Sequence, residues 1–376
     1  MAKVLTFLGT RSEIIKLSPV IQLLSQSFDH ILVHSGQHFL PDMAAVFFEE
    51  LGLSKPRFNL QVGSDSPTRQ IAHMMTGLEE ILIKEQPGAL VVLGGTSTAL
   101  AGALVGVKLG LRVAHLEAGV RTFNWHAPEE INRMLIDRMS TWLFAPDEAA
   151  RGHLLAEGLE ADKIRVVGST TVDACRRHAR LADSRSIVSR LKLSPQEYLV
   201  LTLHRAENTQ PDVLNGILKA VNALSRIWPI IFPIHPRTLR ALAGEDPFNS
   251  NVTVIDPLRY LDMLKLDSNA RALLTDSSGL QEEAALLGTP ALILRNETEW
   301  RYLIDAGVNA LVGNTYQSLM DRAWPLIASE TALESMRQRA ITAPSGASLR
   351  IMQILETEWD DKGLTQPVSQ PPANPN

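Results

Sequence analysis

The stretch His115–Arg133, HLEAGVRTFNWHAPEEINR, gathers three carboxylates (Glu117, Glu129, Glu130), two histidines (His115, His126) and two arginines (Arg121, Arg133). The apolar run before it, Leu111–Ala114, reads as a short buried strand, and Ile131, Leu135, Ile136 and Met139 read as one helix face. Acids between a strand end and a helix start sit where open α/β sheets place their ligand chemistry. The same acids also suit a solvated loop, with Glu129 and Glu130 answering a helix dipole.

Three other groups of residues carry chemistry. Arg11 and Lys16 follow Gly9 at the end of an apolar run, where a strand passes into a helix and an anion is favoured. Asp276-Ser277-Ser278-Gly279 fits a phosphate cradle, because small residues let free N–H groups at a helix start approach an anion. Glu282 and Glu283, one turn on, could accept from ribose hydroxyls; an ordinary Ser N-cap with acids behind it explains the same pattern. His204-Arg205 and His235-Pro236-Arg237 each place an imidazole and a cation at a strand end, able to transfer a proton or neutralise a leaving phosphate. GxGxxG and Walker A loops are absent, which argues against NAD or P-loop nucleotide chemistry. With no HExxH and a single cysteine, Cys175, metal binding is not expected.

The elements that must position these residues repeat one layout. Lys3–Gly9, His30–Ser35, Leu90–Leu93 and Val113–Leu116 are apolar runs ending in polar or glycine-rich turns, separated by helical patterns such as Ile71–Glu85 and Leu100–Leu109. Trp142–Ala145 and Ile164–Gly168 continue the alternation, and Thr170–Leu191 reads as one long Arg-rich helical segment. After Ser194-Pro195 the pattern restarts with strands at Tyr198–Leu203, Ile230–Ile234, Val252–Ile255, Ala272–Thr275 and Ala291–Leu294. Strands alternating with helices predict α/β architecture: two doubly wound, Rossmann-like parallel-sheet domains facing a cleft. The expected domains are residues 1–170 and 171–346.

Bulk properties narrow the function classes. A net charge of −5 gives no basic surface for nucleic acid. No apolar run approaches the ~20 residues that span a bilayer, and no signal peptide precedes Lys3, so a cytoplasmic protein without a membrane partner is expected. Residues 363–376, GLTQPVSQPPANPN, have a disordered composition.

Taken in order, GTRSEIIK (Gly9–Lys16), SGQH (Ser35–His38), HLEAGVRT (His115–Thr122), PEEINR (Pro128–Arg133), HRAEN (His204–Asn208), HPRT (His235–Thr238), DSSGLQEE (Asp276–Glu283) and RNETEW (Arg295–Trp300) closely resemble the non-hydrolysing UDP-N-acetylglucosamine 2-epimerases. The resemblance runs from about residue 3 to residue 355. It implies a glycosyltransferase-B-like fold, no separate cofactor, a homodimer, and a last helix, about 347–361, packed back on the first domain. It also implies anti elimination of UDP from a UDP-2-acetamido sugar, then re-addition after C2 is reprotonated from the opposite face. Glu117 and Glu129 would be the acid–base carboxylates, and His204 would stabilise the leaving group. Arg11, Lys16, His204 and Arg205 would meet the diphosphate. Ser277, Ser278, Gly279 and Glu283 would hold phosphate and ribose, with Arg295 nearby. Gln37, His38, Arg133, Glu207, His235, Arg237 and Glu299, from the same motifs, complete the expected substrate-binding set.

The chain departs from that pattern at Gly95, where the family carries an aspartate assigned to C2 proton transfer. Ser12 replaces a usual proline, Ser278 a usual glycine, and Leu40 a glutamine used by some members for regulatory binding. Losing one acid of a relay forfeits about 10² to 10⁴ in rate. A family member that expels pyrophosphate from a sugar diphosphate and joins the sugar to a nucleobase such as adenine needs no C2 base, and is the alternative expectation. A hydrolysing 2-epimerase is a third, and a non-catalytic binding protein a fourth. Gly95→Asp is expected to raise epimerase activity if the ancestral substrate still binds.

Overall fold

A computed structural model describes residues 2–37, 41–244, 246–339 and 345–361, with backbone only at 41–45 and 360–361. His38, Leu40 and the 363–376 tail lie outside the described residues. The chain divides into two compact units, Met1–Ala174 with Pro344–Asn376, and Cys175–Ala343.

The first unit holds β1 (Lys3–Leu8), β2 (Asp29–His34), β3 (Phe58–Asn59), β4 (Ala89–Leu93), β5 (Arg112–Leu116), β6 (Trp142–Ala145) and β7 (Ile164–Val166). They form one parallel sheet in the order β3-β2-β1-β4-β5-β6-β7. The second unit holds β8 (Leu199–Thr202), β9 (Ile230–Pro233), β10 (Val252–Ile255), β11 (Ala272–Thr275), β12 (Ala291–Ile293) and β13 (Asn309–Leu311), parallel in the order β10-β9-β8-β11-β12-β13. Both are doubly wound, so the Rossmann-like expectation is met. In each sheet the winding reverses between the first strand and the fourth, β1 beside β4 and β8 beside β11. Crevices at such reversals, beyond the carboxyl ends of the strands, are where these sheets bind ligands.

The near-continuous apolar strands are buried on both faces, as parallel sheets require. Leu199 and Leu201 pack on one side with Ile217, Val221 and Leu224, while Tyr198 and Val200 pack on the other with Met263, Leu266 and Ala284. That alternation is the period-two geometry of a strand covered by helices on both sides. Truncating a leucine such as Leu201 to alanine here costs about 2–5 kcal/mol.

The last helix, Ala347–Asp361, belongs to the first unit and is tied to it by polar anchors. Asp173 accepts from the N–H groups of Gly346 (2.6 Å) and Ser348 (2.7 Å) at its start. At its far end Glu358 accepts from Trp142 Nε1 (2.8 Å) and Arg165 (2.7 Å), while Trp359 lies against Phe28 and under the Arg112 guanidinium.

Two sequence expectations change. The segment Thr170–Leu191 is two helices, Thr170–Ala182 and Ile187–Arg190. Ser184, in the break, turns its hydroxyl back on the Leu181 carbonyl, the local competition that makes serine a poor helix interior residue. The edge strands β3 and β13, two and three residues long, carry too little pattern to be read in advance.

Candidate active site

In the first unit the site begins at the turn after β1. Thr10 and Glu13 form a capping box at the head of the Arg11–Ser27 helix. Glu13 also accepts from Gly9 N (2.9 Å), Thr10 N (2.8 Å) and the Thr96 hydroxyl (2.7 Å), which ties the β1 turn to the β4 turn. Burial pushes its carboxyl above the ordinary value in spite of those donors. The T-x-x-E spacing at Thr10–Glu13 is a capping signal legible in the sequence. Arg11 projects from the helix start, its guanidinium 5.2 Å from the Phe47 ring. Gln37 is buried, its amide oxygen taken by Thr98 (2.7 Å).

Glu117 follows β5 in the left-handed region, at φ +63°, a conformation that strains a side-chain-bearing residue and clusters at functional sites. Its Oε1 receives Lys16 Nζ (2.8 Å) and the Thr171 hydroxyl (3.4 Å). Its Oε2 faces Gly94, 3.5 Å from where a Cβ would stand. Lys16, expected on a diphosphate, is thus paired with the expected acid–base group.

The two acids of the PEEINR motif have opposite fates. Glu130 is buried and accepts from Thr122 N (3.0 Å), Phe123 N (2.9 Å) and Arg133 (2.6 Å), which hold its carboxyl below the ordinary value against the opposing effect of burial. Arg133 is therefore engaged with Glu130. Glu129 is exposed, and its side chain has no partner among the described residues. Gly95 lies directly against this helix start: its carbonyl accepts from Asn132 Nδ2 (2.9 Å), and a Cβ there would stand 2.9 Å from Arg133 Cγ and 3.2 Å from Glu129 C, closer still to the Glu129 carbonyl oxygen. An aspartate at 95 therefore requires the Arg133 side chain and the Glu129 backbone to shift, a cost that the sequence pattern does not show.

In the second unit the centre is Asp276, fully buried at the end of β11. It accepts from His204 N (3.1 Å), Arg205 N (3.0 Å), Asn208 Nδ2 (3.1 Å) and His204 Nδ1 (2.9 Å). Burial would raise its carboxyl, but His204 and these N–H groups outweigh that and hold it low. With Nδ1 committed to Asp276, His204 presents Nε2 outward from a ring that is 37% exposed. The His235 ring lies 5.6 Å away and accepts Arg237 N at Nδ1 (3.0 Å); burial, then His204 and Arg237, push it below the usual histidine value. Arg237 itself donates to the His204 carbonyl (2.6 Å).

Arg205 crosses from β8 to the cradle, donating to Ser278 Oγ (2.6 Å) and Asp276 O (3.0 Å), with Glu299 at 3.5 Å. Arg295 holds the other oxygen of Glu299 (2.7 Å), and its own buried Nε has no partner. Ser277 precedes the Ser278–Leu287 helix without capping it through its hydroxyl. A Cβ on Gly279 would meet nothing within 4 Å, so the backbone there faces open space, as an anion cradle requires. Glu283 accepts from the Tyr260 hydroxyl (3.1 Å), and Glu207 is exposed in the Glu207–Thr209 turn. The structure therefore groups His204, Arg205, His235, Arg237, Ser277, Ser278, Arg295 and Glu299 around Asp276, and groups Lys16, Glu117, Glu129 and Gly95 around the β4 and β5 ends. In sequence Asp276 belongs to the cradle motif, and only the fold makes it the acceptor for His204.

Among the described residues no three His, Cys, Asp or Glu side chains are grouped to hold a metal ion, and no helix is long and apolar enough to cross a membrane.

A family model described as UDP-N-acetylglucosamine 2-epimerase matches residues 22–356. The UDP-N-acetylglucosamine 2-epimerase of Methanocaldococcus jannaschii is 43% identical over 330 residues, 85% of this chain and 90% of that protein. The UDP-2,3-diacetamido-2,3-dideoxy-D-glucuronate 2-epimerase of Pseudomonas aeruginosa is 39% identical over 328 residues, 85% and 91% of the two chains. The crystal structure of the M. jannaschii enzyme in complex with UDP-GlcNAc and UDP matches with a TM-score of 0.82 at 40% identity, covering 95% of this chain and all of that one.

Proposed function

This chain belongs to the UDP-N-acetylglucosamine 2-epimerase family, and from that membership we propose that it epimerises a UDP-2-acetamido sugar at C2 by elimination and re-addition of UDP. The observation that carries the proposal is Glu117 at the β5 end: Oε1 is held by Lys16 and Thr171, while Oε2 is left to act on substrate. In the forward step a carboxylate takes the C2 proton, the C2–H electrons form the C1=C2 bond, and the C1–O bond breaks to release UDP. His204, oriented by Asp276, donates from Nε2 to the departing phosphate oxygen, and Arg205, Arg295 and the Ser277–Gly279 turn take up the diphosphate charge. Return of a proton to C2 from the opposite face, with UDP re-adding to C1, gives the epimer. We assign that second transfer to Glu129, whose side chain is exposed and whose main chain packs against Gly95.

Names of the two relatives share the 2-acetamido UDP sugar and differ at C3 and C6. Incubating the protein in deuterated water with UDP-N-acetylglucosamine, and separately with the diacetamido glucuronate, tests the proposal by mass and NMR analysis. Deuterium at C2 of substrate and epimer is expected for one of them; no exchange with either overturns the reading. Gly95 favours one second reading, expulsion of diphosphate with capture of the sugar by a nucleobase, since that reaction needs no C2 base. A new glycoside from a sugar diphosphate and adenine, without C2 exchange, would establish it. Homodimer assembly and a cytoplasmic location belong to the same proposal, the first checked by light scattering.

A further inference from the structure

His115 and Arg121 lie in the same acid-rich stretch as Glu117, yet neither has a place in the proposed chemistry. His115 is fully buried, with Nδ1 2.7 Å from Asp137 Oδ1 and Nε2 2.9 Å from the Gly94 carbonyl. Asp137, also fully buried, turns its second oxygen to Gly119 N (3.2 Å) and Arg121 (2.6 Å), and Arg121 forks onto Glu157 (2.7 and 2.8 Å). The pair thus grips the chain on both sides of Glu117, at 115 and at 119, and holds the carbonyl immediately before Gly95.

We propose that His115 and Asp137 are positioning residues for Glu117, with His115 donating from both ring nitrogens as an imidazolium. The hydrogen-bond inventory requires the second part: a carboxylate and a carbonyl can only accept, so neither ring nitrogen has a partner for a lone pair. Charge closes on the same assignment, since His115 and Arg121 then balance Asp137 and Glu157 in one cluster of which only Glu157 is partly exposed. Burial disfavours an ionised Asp137, and His115 and Arg121 overcome it, holding its carboxyl below the ordinary value. The purpose of the cluster is local. Glu117 sits at a positive φ that its own side chain disfavours, and such a conformation persists only where the surroundings over-determine it. Here they do so through His115 before it and Gly119 after it, while the Gly94 bond keeps the β4 turn in register with the carboxylate.

This rests on Glu117 being a proton-transfer group, and the test separates the two claims. Nitrogen-15 spectra of the full chain labelled at histidine, with the His115 signals identified by their loss in His115→Gln, are expected to show both ring nitrogens protonated; a neutral ring overturns the proposal whatever the activity. With UDP-N-acetylglucosamine as probe, His115→Gln and Asp137→Asn are each expected to lower kcat for C2–H exchange about 10²-fold, as a roughly 1 Å misplacement does, with KM changed by no more than about twofold. The double variant is expected to be no slower than the slower single one, because both act through one contact pair. Wild-type kcat in His115→Gln, or a loss appearing wholly in KM, overturns the positioning role. If the wild-type chain exchanges no C2–H, the 2-epimerase reading fails, and the nitrogen-15 arm still decides the state of the pair.

Discussion

Replacing Gly95 asks whether the first turn of the Pro128–Met139 helix must stay where it is. A Cβ at 95 would stand 2.9 Å from Arg133 Cγ and 3.2 Å from Glu129 C, whereas packed carbons sit at about 3.5–4.0 Å. The helix start must therefore retreat by roughly 0.5–1 Å, and the Asn132 bond to the Gly95 carbonyl resists that movement. Overpacking of this kind costs about 1–3 kcal/mol of stability. The retreat also carries Glu129 with it, and a displacement near 1 Å lowers kcat by about 10²-fold. Gly95→Ala and Gly95→Asp are both expected to lose C2–H exchange by about that factor and to unfold at lower urea concentration. Exchange in deuterated water and urea midpoints measure the two effects on the same samples. A Gly95→Asp variant as active as the parent or better, with an unchanged midpoint, would refute the packing argument and restore the simpler view that one acid is merely missing.

Three further outcomes follow from the geometry. His204→Gln is expected to lower kcat by about 10²- to 10⁴-fold; a loss that appears wholly in KM would contradict its role on the leaving group. Gly279→Ala meets open space, so stability is expected to hold or rise by up to about 1 kcal/mol, while UDP binding weakens about tenfold if the diphosphate lies over that backbone; calorimetric titration with UDP reads it. Burial pushes His178 down to about 3 and His30 to about 4, both from the ordinary 6.5. The unfolded chain therefore binds more protons between those values. Stability is fully present above pH 6.5 and falls on acidification, by up to about 1.4 kcal/mol per pH unit for each histidine. Urea unfolding between pH 7 and 4.5 should show a shallower slope for His178→Phe, and an unchanged slope would contradict the assignment.

The fold was legible because buried parallel strands advertise themselves as apolar runs with polar ends, and all but β3 and β13 do so here. The loop chemistry was legible for the same reason: Glu117, His204 and Asp276 fall at strand ends. What a one-dimensional pattern cannot show is which neighbour each side chain chooses. Glu129 and Glu130 are adjacent and chemically identical, yet one is exposed without a partner and the other is consumed by Arg133 and two N–H groups. Lys16 and Glu117 are 101 residues apart, and only the β1–β4–β5 order brings them to 2.8 Å. The gap at Gly95 read as a missing acid, whereas in space it is filled by a helix.

The two clusters differ in charge. Around Asp276 two guanidiniums, Arg205 and Arg295, share the single carboxylate of Glu299, and Arg295 keeps a buried Nε without a partner. Glu299 remains ionised, its carboxyl held below the ordinary value by Ser278 and Arg295 against the opposing effect of burial. With Arg237 and Asp276 counted as well, three guanidiniums face two carboxylates, so one positive charge is left over in a site already held in place by hydrogen bonds to backbone carbonyls and Ser278. An arriving diphosphate meets donors that need little rearrangement, the condition under which electrostatic stabilisation of a leaving group is strongest. At the β5 end the balance is different, because Lys16 is matched by Glu117. A lysine on that carboxylate is a good fixture for a proton acceptor, since it fixes one oxygen and leaves the other toward Gly94. Under the proposed reaction the surplus cation serves the departing UDP, and the matched pair serves C2.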